Sequence, residues 1–184
     1  ATTRLTVAAL GGVPLIEPGD DLAAIILVAL TEAGETLQNG DVLVLAQKIV
    51  SKAEGCYTIL EDIDPSARAL EIAATTDKDP RLVELILSES TEIVRHRKGV
   101  LVVAHNLGIV MANAGIDASN VAPTPAGTRV LLLPKDPDGS AQKLRAALKA
   151  ATGADVAVIV NDSVGRAWRN GTVGIALGSA GLPA

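Results

Sequence analysis

Asn161-Asp162-Ser163 sets a carboxylate beside a hydroxyl at the expected carboxyl end of an apolar, β-branched run over residues 156–160. The loop expected to follow carries Gly165, Arg166, the single tryptophan Trp168, Arg169, Gly171 and Gly174. A carboxylate and a hydroxyl at a strand end, glycine-permitted backbone and two guanidiniums suit a phosphate chain held with a divalent metal ion.

Three other segments carry chemistry. In Gln47-Lys48-Ile49-Val50-Ser51-Lys52 the two lysines share a face whether the segment is strand or helix. They either hold anionic oxygens or decorate a solvated strand edge. Asp117 and Asn120 lie three apart in a loop of small residues that follows a strand. They are either ligands or turn formers that bond their own backbone. The apolar loop Gly12-Val13-Pro14-Leu15-Ile16 walls a ring or plugs the core. Neither GxxxxGK[ST] nor GxGxxG occurs, so no P-loop and no dinucleotide fingerprint is signalled. His96 and His105 read as structural, and Cys56 has no nearby histidine to activate it as a nucleophile.

The 184 residues suffice for a sizeable core in one domain or two interlocked subdomains. Apolar residues make up 48% of the chain and aromatics 1%, with no Phe, so Val, Leu, Ile and Ala must pack the core and Tyr57 and Trp168 stand out. A net charge of −5, with no basic cluster longer than Arg95-His96-Arg97-Lys98, argues against nucleic-acid binding. That cluster is expected at a helix carboxyl end, where cations suit the dipole. The longest apolar run, nine residues over 22–30, is shorter than the roughly 20 needed to span a bilayer, and it follows acidic Asp20-Asp21 rather than a basic leader. No membrane association is expected. A lone cysteine implies a reducing, cytoplasmic setting.

The positioning elements follow from periodicity and punctuation. Strands are expected over 4–10, 42–52, 100–104, 109–112, 129–133 and 156–160. Helices are expected from an Asp20 or Asp21 cap to about residue 36, after Pro65, from Pro80 through about Arg97, and from Asp138 to Thr152 with Gly153 as the stop. Unequal clusters of strands and helices, some strands joined as hairpins, predict an α+β fold.

Six blocks, GVPLIEPGDDL, GDVLVLAQKIVSKAEG, DPRLVELILSES, ANAGIDASNV, LLLPKDPDGSA and NDSVGRAWRNG, resemble in order and spacing the coenzyme F-420-0:L-glutamate ligases, or γ-glutamyl ligases. The resemblance covers essentially the whole chain. It implies a GTP-dependent ligase that adds L-glutamate to the deazaflavin precursor F-420-0 and then forms γ-glutamyl bonds. It also implies Mg²⁺ or Mn²⁺ with K⁺, and an α+β fold of two interlocked subdomains in an intertwined homodimer. Residues 1–184 would form one such domain, lacking the segment with which the family continues.

Carried over by position, the resemblance places Val13, Pro14, Leu15 and Ile16 on the nucleotide, together with Gln47, Lys52 and Asn120. Asp117 and Asp162 fall on metal-binding carboxylates, and Ser163 keeps the hydroxyl of the family's usual Thr. Asp117, Asp162 and Lys52 are the expected catalytic residues. The implied chemistry activates the F-420-0 carboxylate as an acyl phosphate, with Arg166 or Arg169 clamping a phosphate. Two other classes fit parts of this pattern: a GTP- and metal-dependent phosphotransferase, and a non-catalytic nucleotide-binding or assembly protein.

Overall fold

The computed structural model describes residues 4–117, 125, 127–165 and 170–182. After an extended segment, α1 (Leu22–Ala33) leads to β1 (Val42–Ala46), which passes directly into α2 (Gln47–Ala53). Then come β2 (Tyr57–Ile59), α3 (Ala67–Thr76), α4 (Pro80–Ser88), β3 (Ser90–Arg97), β4 (Val100–His105) and β5 (Val110–Ala112). The chain finishes with β6 (Arg129–Leu131), α5 (Pro137–Thr152), β7 (Ala157–Gly165) and β8 (Thr172–Ala180). This is the mixed α+β architecture that the unequal clustering predicts. No helix among the described residues is long and apolar enough to cross a membrane.

The helix ends follow the punctuation of the sequence. Asp21 caps α1, Asp79 caps α4 with Pro80 at its first position, and Asp136 caps α5, each carboxylate accepting from a backbone N–H two or three residues on. Gly153 closes α5 in the left-handed conformation, at φ 75°.

In the first sheet β7 lies between β1, which it meets in parallel, and β8, which it meets antiparallel. One face of this sheet packs on α1 and α5 through Ile26, Leu45, Leu148, Val158 and Val160. A second sheet, β3-β4-β5, packs on α3 and α4 through Ile72, Val83, Ile86, Leu101 and Val103. Val130 of β6 joins Leu60, just after β2, and Leu85 of α4 in a third cluster, and Met111, Leu133 and Leu177 form a fourth. With no Phe in the chain, the largest fully buried side chains are Leu, Ile and Val.

Several expectations require correction. The run over 42–52 is a strand only to Ala46 and a helix thereafter. The long helix expected from Pro80 ends at Ser88, where Asn106 binds back: its N–H donates to the Glu89 carbonyl and its side-chain amide to the Ser88 carbonyl. Residues 90–97 are therefore a strand, and the Arg95-His96-Arg97-Lys98 cluster lies on a hairpin rather than at a helix terminus. Residues 4–10 alternate like a strand but form none, and Leu5 and Val7 are exposed. Alternation alone does not make a strand without a ladder to join. The last strand does not stop at Asn161 but runs on to Gly165 and pairs with β8, within a stretch expected to be loop.

Candidate functional site

A cleft of ≈ 440 Å³ opens where the parallel pair ends. β1 pairs with β7 from Val42↔Ala157 to Ala46↔Asn161, and there β1 turns into α2 while β7 continues alone beside β8. One wall carries Gln47 and Lys48 from the start of α2 and residues 161–165 of β7; the other carries Met111, Ala112, Gly115, Ile116 and Asp117. Ligands commonly bind outside the carboxyl ends of parallel strands, where the chain leaves the sheet.

Backbone bonds fix each functional side chain. Asp117 is held by a reciprocal pair, its N–H donating to the Leu131 carbonyl at 3.0 Å and the Leu131 N–H to its carbonyl at 2.8 Å. Leu131 also pairs with Tyr57, so Asp117 extends the β2-β6 ladder on its other side. Upstream, Asn113, Ala114 and Gly115 all have positive φ, and a Cβ at Gly115 would come within 3.0 Å of the Leu133 side chain. On the facing wall the β7–β8 register slips by one residue. Val160 pairs with Gly178 but Asn161 with Ala176, so Leu177 is bulged into the core cluster of Met111 and Leu133. A bulge of this kind re-aims the strand beyond it, here the segment that carries Asp162.

Electrostatics couple the two walls. Lys48 forms an ion pair with Asp117, whose side chain is 22% exposed. Burial pushes the Asp162 carboxyl above its ordinary value. The Ser163 N–H, donating to Asp162 Oδ1 at 2.8 Å, and the Lys48 charge oppose that shift, while the Asp117 charge adds to it. Asp117 and Asp162, from distant parts of the chain, thus feel each other in one cleft, and both feel the charge of Lys48.

Asp117, Asp162, Ser163 and Gln47 line this cleft. Gln47 is 3% exposed, its Oε1 accepting from the Ser51 hydroxyl at 2.9 Å. Lys52 lies one helical turn beyond Lys48 on α2 and is not among the lining residues. Val13, Pro14 and Leu15 are exposed and Ile16 is buried, and none of the four lines the cleft. Their loop runs on to Gly19, whose N–H donates to the Ala53 carbonyl beside Lys52. Asn120, Arg166, Trp168 and Arg169 lie outside the described residues.

Tyr57 carries the Arg129 guanidinium 4.1 Å from its ring centroid, away from the cleft. Burial and the Glu54 carboxylate push the Cys56 thiol up, in keeping with a thiol that is not an activated nucleophile. His105 is buried at the end of β4, and His96 is exposed on β3.

A sequence model described as F420-0:Gamma-glutamyl ligase matches residues 12–184. The chain belongs to this family. It is 52% identical over 171 residues to the coenzyme F420:L-glutamate ligase of Methanothermobacter thermautotrophicus, a match covering 93% of this chain and 66% of that protein. It is 46% identical over 168 residues to the ligase of the same name from Methanopyrus kandleri, covering 91% and 63%. To that of Archaeoglobus fulgidus it is 45% identical over 181 residues, covering 98% and 69%. The chain spans about two thirds of the length of these curated relatives.

Within the family frame, the cleft contains a residue to which the sequence reading gave no settled role. Lys48 is one of two lysines on a shared face of α2, and the fold pairs it with Asp117. Gly174 is another. It faces Ser163 across the hairpin, and a Cβ there would come within 2.8 Å of Asn161 Oδ1. Its missing side chain makes room for Asn161 on the cleft wall.

Proposed function

We propose that this protein adds L-glutamate to coenzyme F-420-0 at the expense of GTP, in the cytoplasm. The observation that supports this reading is that Asp117 and Asp162, which are 45 positions apart in sequence, line one cleft, with Lys48 of the same cleft paired to Asp117. Family membership supports the ligase class, and the names of the relatives supply glutamate and the deazaflavin acceptor.

The donor set suits a hard divalent cation, Mg²⁺ or Mn²⁺. Two carboxylates and the Ser163 hydroxyl offer oxygen, and the partly buried Asp162 carries charge that its surroundings oppose. Among the described residues no group of three or more His, Cys, Asp or Glu could hold an ion by itself. Phosphate oxygens and water would complete such a shell, as is usual where Mg²⁺ works on nucleotides. When bound, the ion would neutralise charge on the transferring phosphate.

The residues would divide the work as follows. Asp117 and Asp162 hold the cation. Gln47, Lys52, Asn120 and the loop of Val13, Pro14, Leu15 and Ile16 bind GTP, with Lys52 a point charge on its phosphates. A carboxylate oxygen of F-420-0 attacks the γ-phosphorus and GDP leaves. The amine of glutamate then attacks the acyl carbon, inorganic phosphate leaves, and the amine loses a proton to give the amide. Repetition on the side-chain carboxylate builds γ-glutamyl links. K⁺ assists, and the active form is an intertwined homodimer of two interlocked subdomains per chain.

Mass spectrometry of F-420-0 incubated with the protein, GTP, L-glutamate and Mn²⁺ tests the reading. The expected result is a product heavier by one glutamyl residue, followed by a ladder at the same spacing. GTP turnover without glutamyl addition would instead make the protein a phosphotransferase, and no nucleotide binding would leave a non-catalytic role.

A further inference from the structure

Two carboxylates that face one partly buried cleft repel each other unless a cation lies near. Lys48 supplies one from inside the chain. It sits in the first turn of α2, where the backbone has just left β1 beside the cleft, and its Nζ pairs with Asp117 Oδ2. Its charge also reaches Asp162. The lysine side chain is 37% exposed, so its flexible stem can swing the ammonium into water while α2 stays in place. With Lys48 docked, the three groups together carry a single negative charge. With it withdrawn they carry two, the complement of a divalent ion.

We propose that Lys48 is the tethered counter-ion of the metal-free cleft, its ammonium holding the carboxylates where a divalent ion would bind, so that the ion enters by displacing it. The proposal rests on the reading of Asp117 and Asp162 as cation ligands. The lysine would keep the empty carboxylate pair from collapsing outward, and it would weaken capture of a bare ion that arrives without its nucleotide. A nucleotide-bound ion brings phosphate oxygens that receive the displaced ammonium, so the device favours the metal-nucleotide complex over the free metal.

The test is a titration of the chain with Mn²⁺ alone, at low ionic strength and without nucleotide, following free Mn²⁺ by electron paramagnetic resonance. Lys48→Met should bind Mn²⁺ about tenfold more tightly than the unmodified protein, because a like charge has left the site. Lys48→Arg, which keeps the charge, should stay within about twofold of the unmodified protein. Adding Asp162→Asn to Lys48→Met should remove the gain.

If Lys48→Met binds no more tightly than the unmodified protein while both bind, the counter-ion role is overturned and the carboxylate site stands. If the gain survives Asp162→Asn, the ion sits elsewhere and the proposal falls. If neither protein binds Mn²⁺ at millimolar concentrations, the reading of the carboxylates as cation ligands falls first. Lys48→Gln gives the same comparison should Lys48→Met not fold.

Discussion

Asp162 is a cleft carboxylate whose surroundings oppose its own charge. Burial raises its carboxyl and the Asp117 charge raises it further, against the Ser163 N–H and Lys48. A group kept under that pressure marks a site shaped for something other than stability. Asp162→Asn should therefore leave the metal-free protein at least as stable, its melting temperature unchanged or up to roughly 2 °C higher by calorimetry, while glutamyl addition is lost. A lower melting temperature would make Asp162 a structural residue. Lys52, outside the residues that line the cleft, is where the proposed nucleotide binding can be tested apart from it. Charge-assisted bonds to phosphate are worth roughly 1.5–3 kcal/mol, so Lys52→Met should weaken GTP binding about tenfold or more by calorimetric titration, and unchanged affinity would return it to a solvated helix face. His105 supplies a pH response outside the cleft. Its Nδ1 accepts from the Leu107 N–H at 2.9 Å, and its Nε2 lies 3.8 Å from Glu89 Oε2. Burial lowers its pKa, with Glu89 opposing. A folded-state value below the unfolded one means that the unfolded chain takes up a proton first. Stability is full above about pH 6.5 and falls as the pH drops through the folded value. Thermal melts between pH 7.5 and 5 should show this fall, and His105→Asn, which keeps an acceptor for Leu107, should flatten it.

The elements that build the site were legible in the sequence to different degrees, for identifiable reasons. Helix α1 begins at the expected Asp21 cap and α5 ends at the expected Gly153, because these residues act locally, whereas α5 begins at Pro137, just before the expected Asp138, with Asp136 as its cap. The misreadings fall where a tertiary partner decides. The apolar spacing of Leu82, Ile86 and Ile93 continues a helical stripe past Ser88, but residues 90–97 gain a full antiparallel ladder with β4. The hairpin turns at Gly99, which takes φ 76°. The same holds for β8, paired with β7 after an Asn170-Gly171 signal. The chemistry of Asp117 and Asp162 was readable from residue type, but their meeting was not. It depends on the Leu131 bridge and on the bulge at Leu177, which no local pattern announces. That bulge brings β8 hard against α5, since a Cβ on Gly178 would lie 2.2 Å from the Pro137 carbonyl carbon and 2.6 Å from the Asp138 nitrogen. These are backbone atoms at a capped helix start, so they cannot step aside. Gly178→Ala should destabilise the fold by about 1–3 kcal/mol in urea denaturation, and a neutral result would show that α5 is free to shift on the sheet.

At the scale of the molecule, the ordered blocks carried family membership, whereas composition carried only a demand for aliphatic packing. That demand is met inside by Val, Leu and Ile, yet it leaves apolar side chains outside. Leu5 and Val7 in the extended first segment are exposed, as are Leu15 and the outer-edge residues Val42 and Val44 of β1. β1 is an edge strand of its sheet among the described residues, so these side chains lie near unpaired backbone. Exposed apolar positions of this kind are what a second copy would cover, and a stable interface needs roughly 1,200–2,000 Å² of buried surface. An interface without aromatic anchors must rest on area, and area is not screened by ions as surface charge pairs are. The proposed homodimer, if it rests on this surface, should therefore persist at low protein concentration and through rising salt. Sedimentation velocity from 0.05 to about 1 M NaCl, where the screening length shrinks to about 3 Å, measures this directly. A single species at twice the chain mass throughout is the expected result. A monomer, or a dimer that dissociates as salt rises, would overturn an assembly held by aliphatic surface.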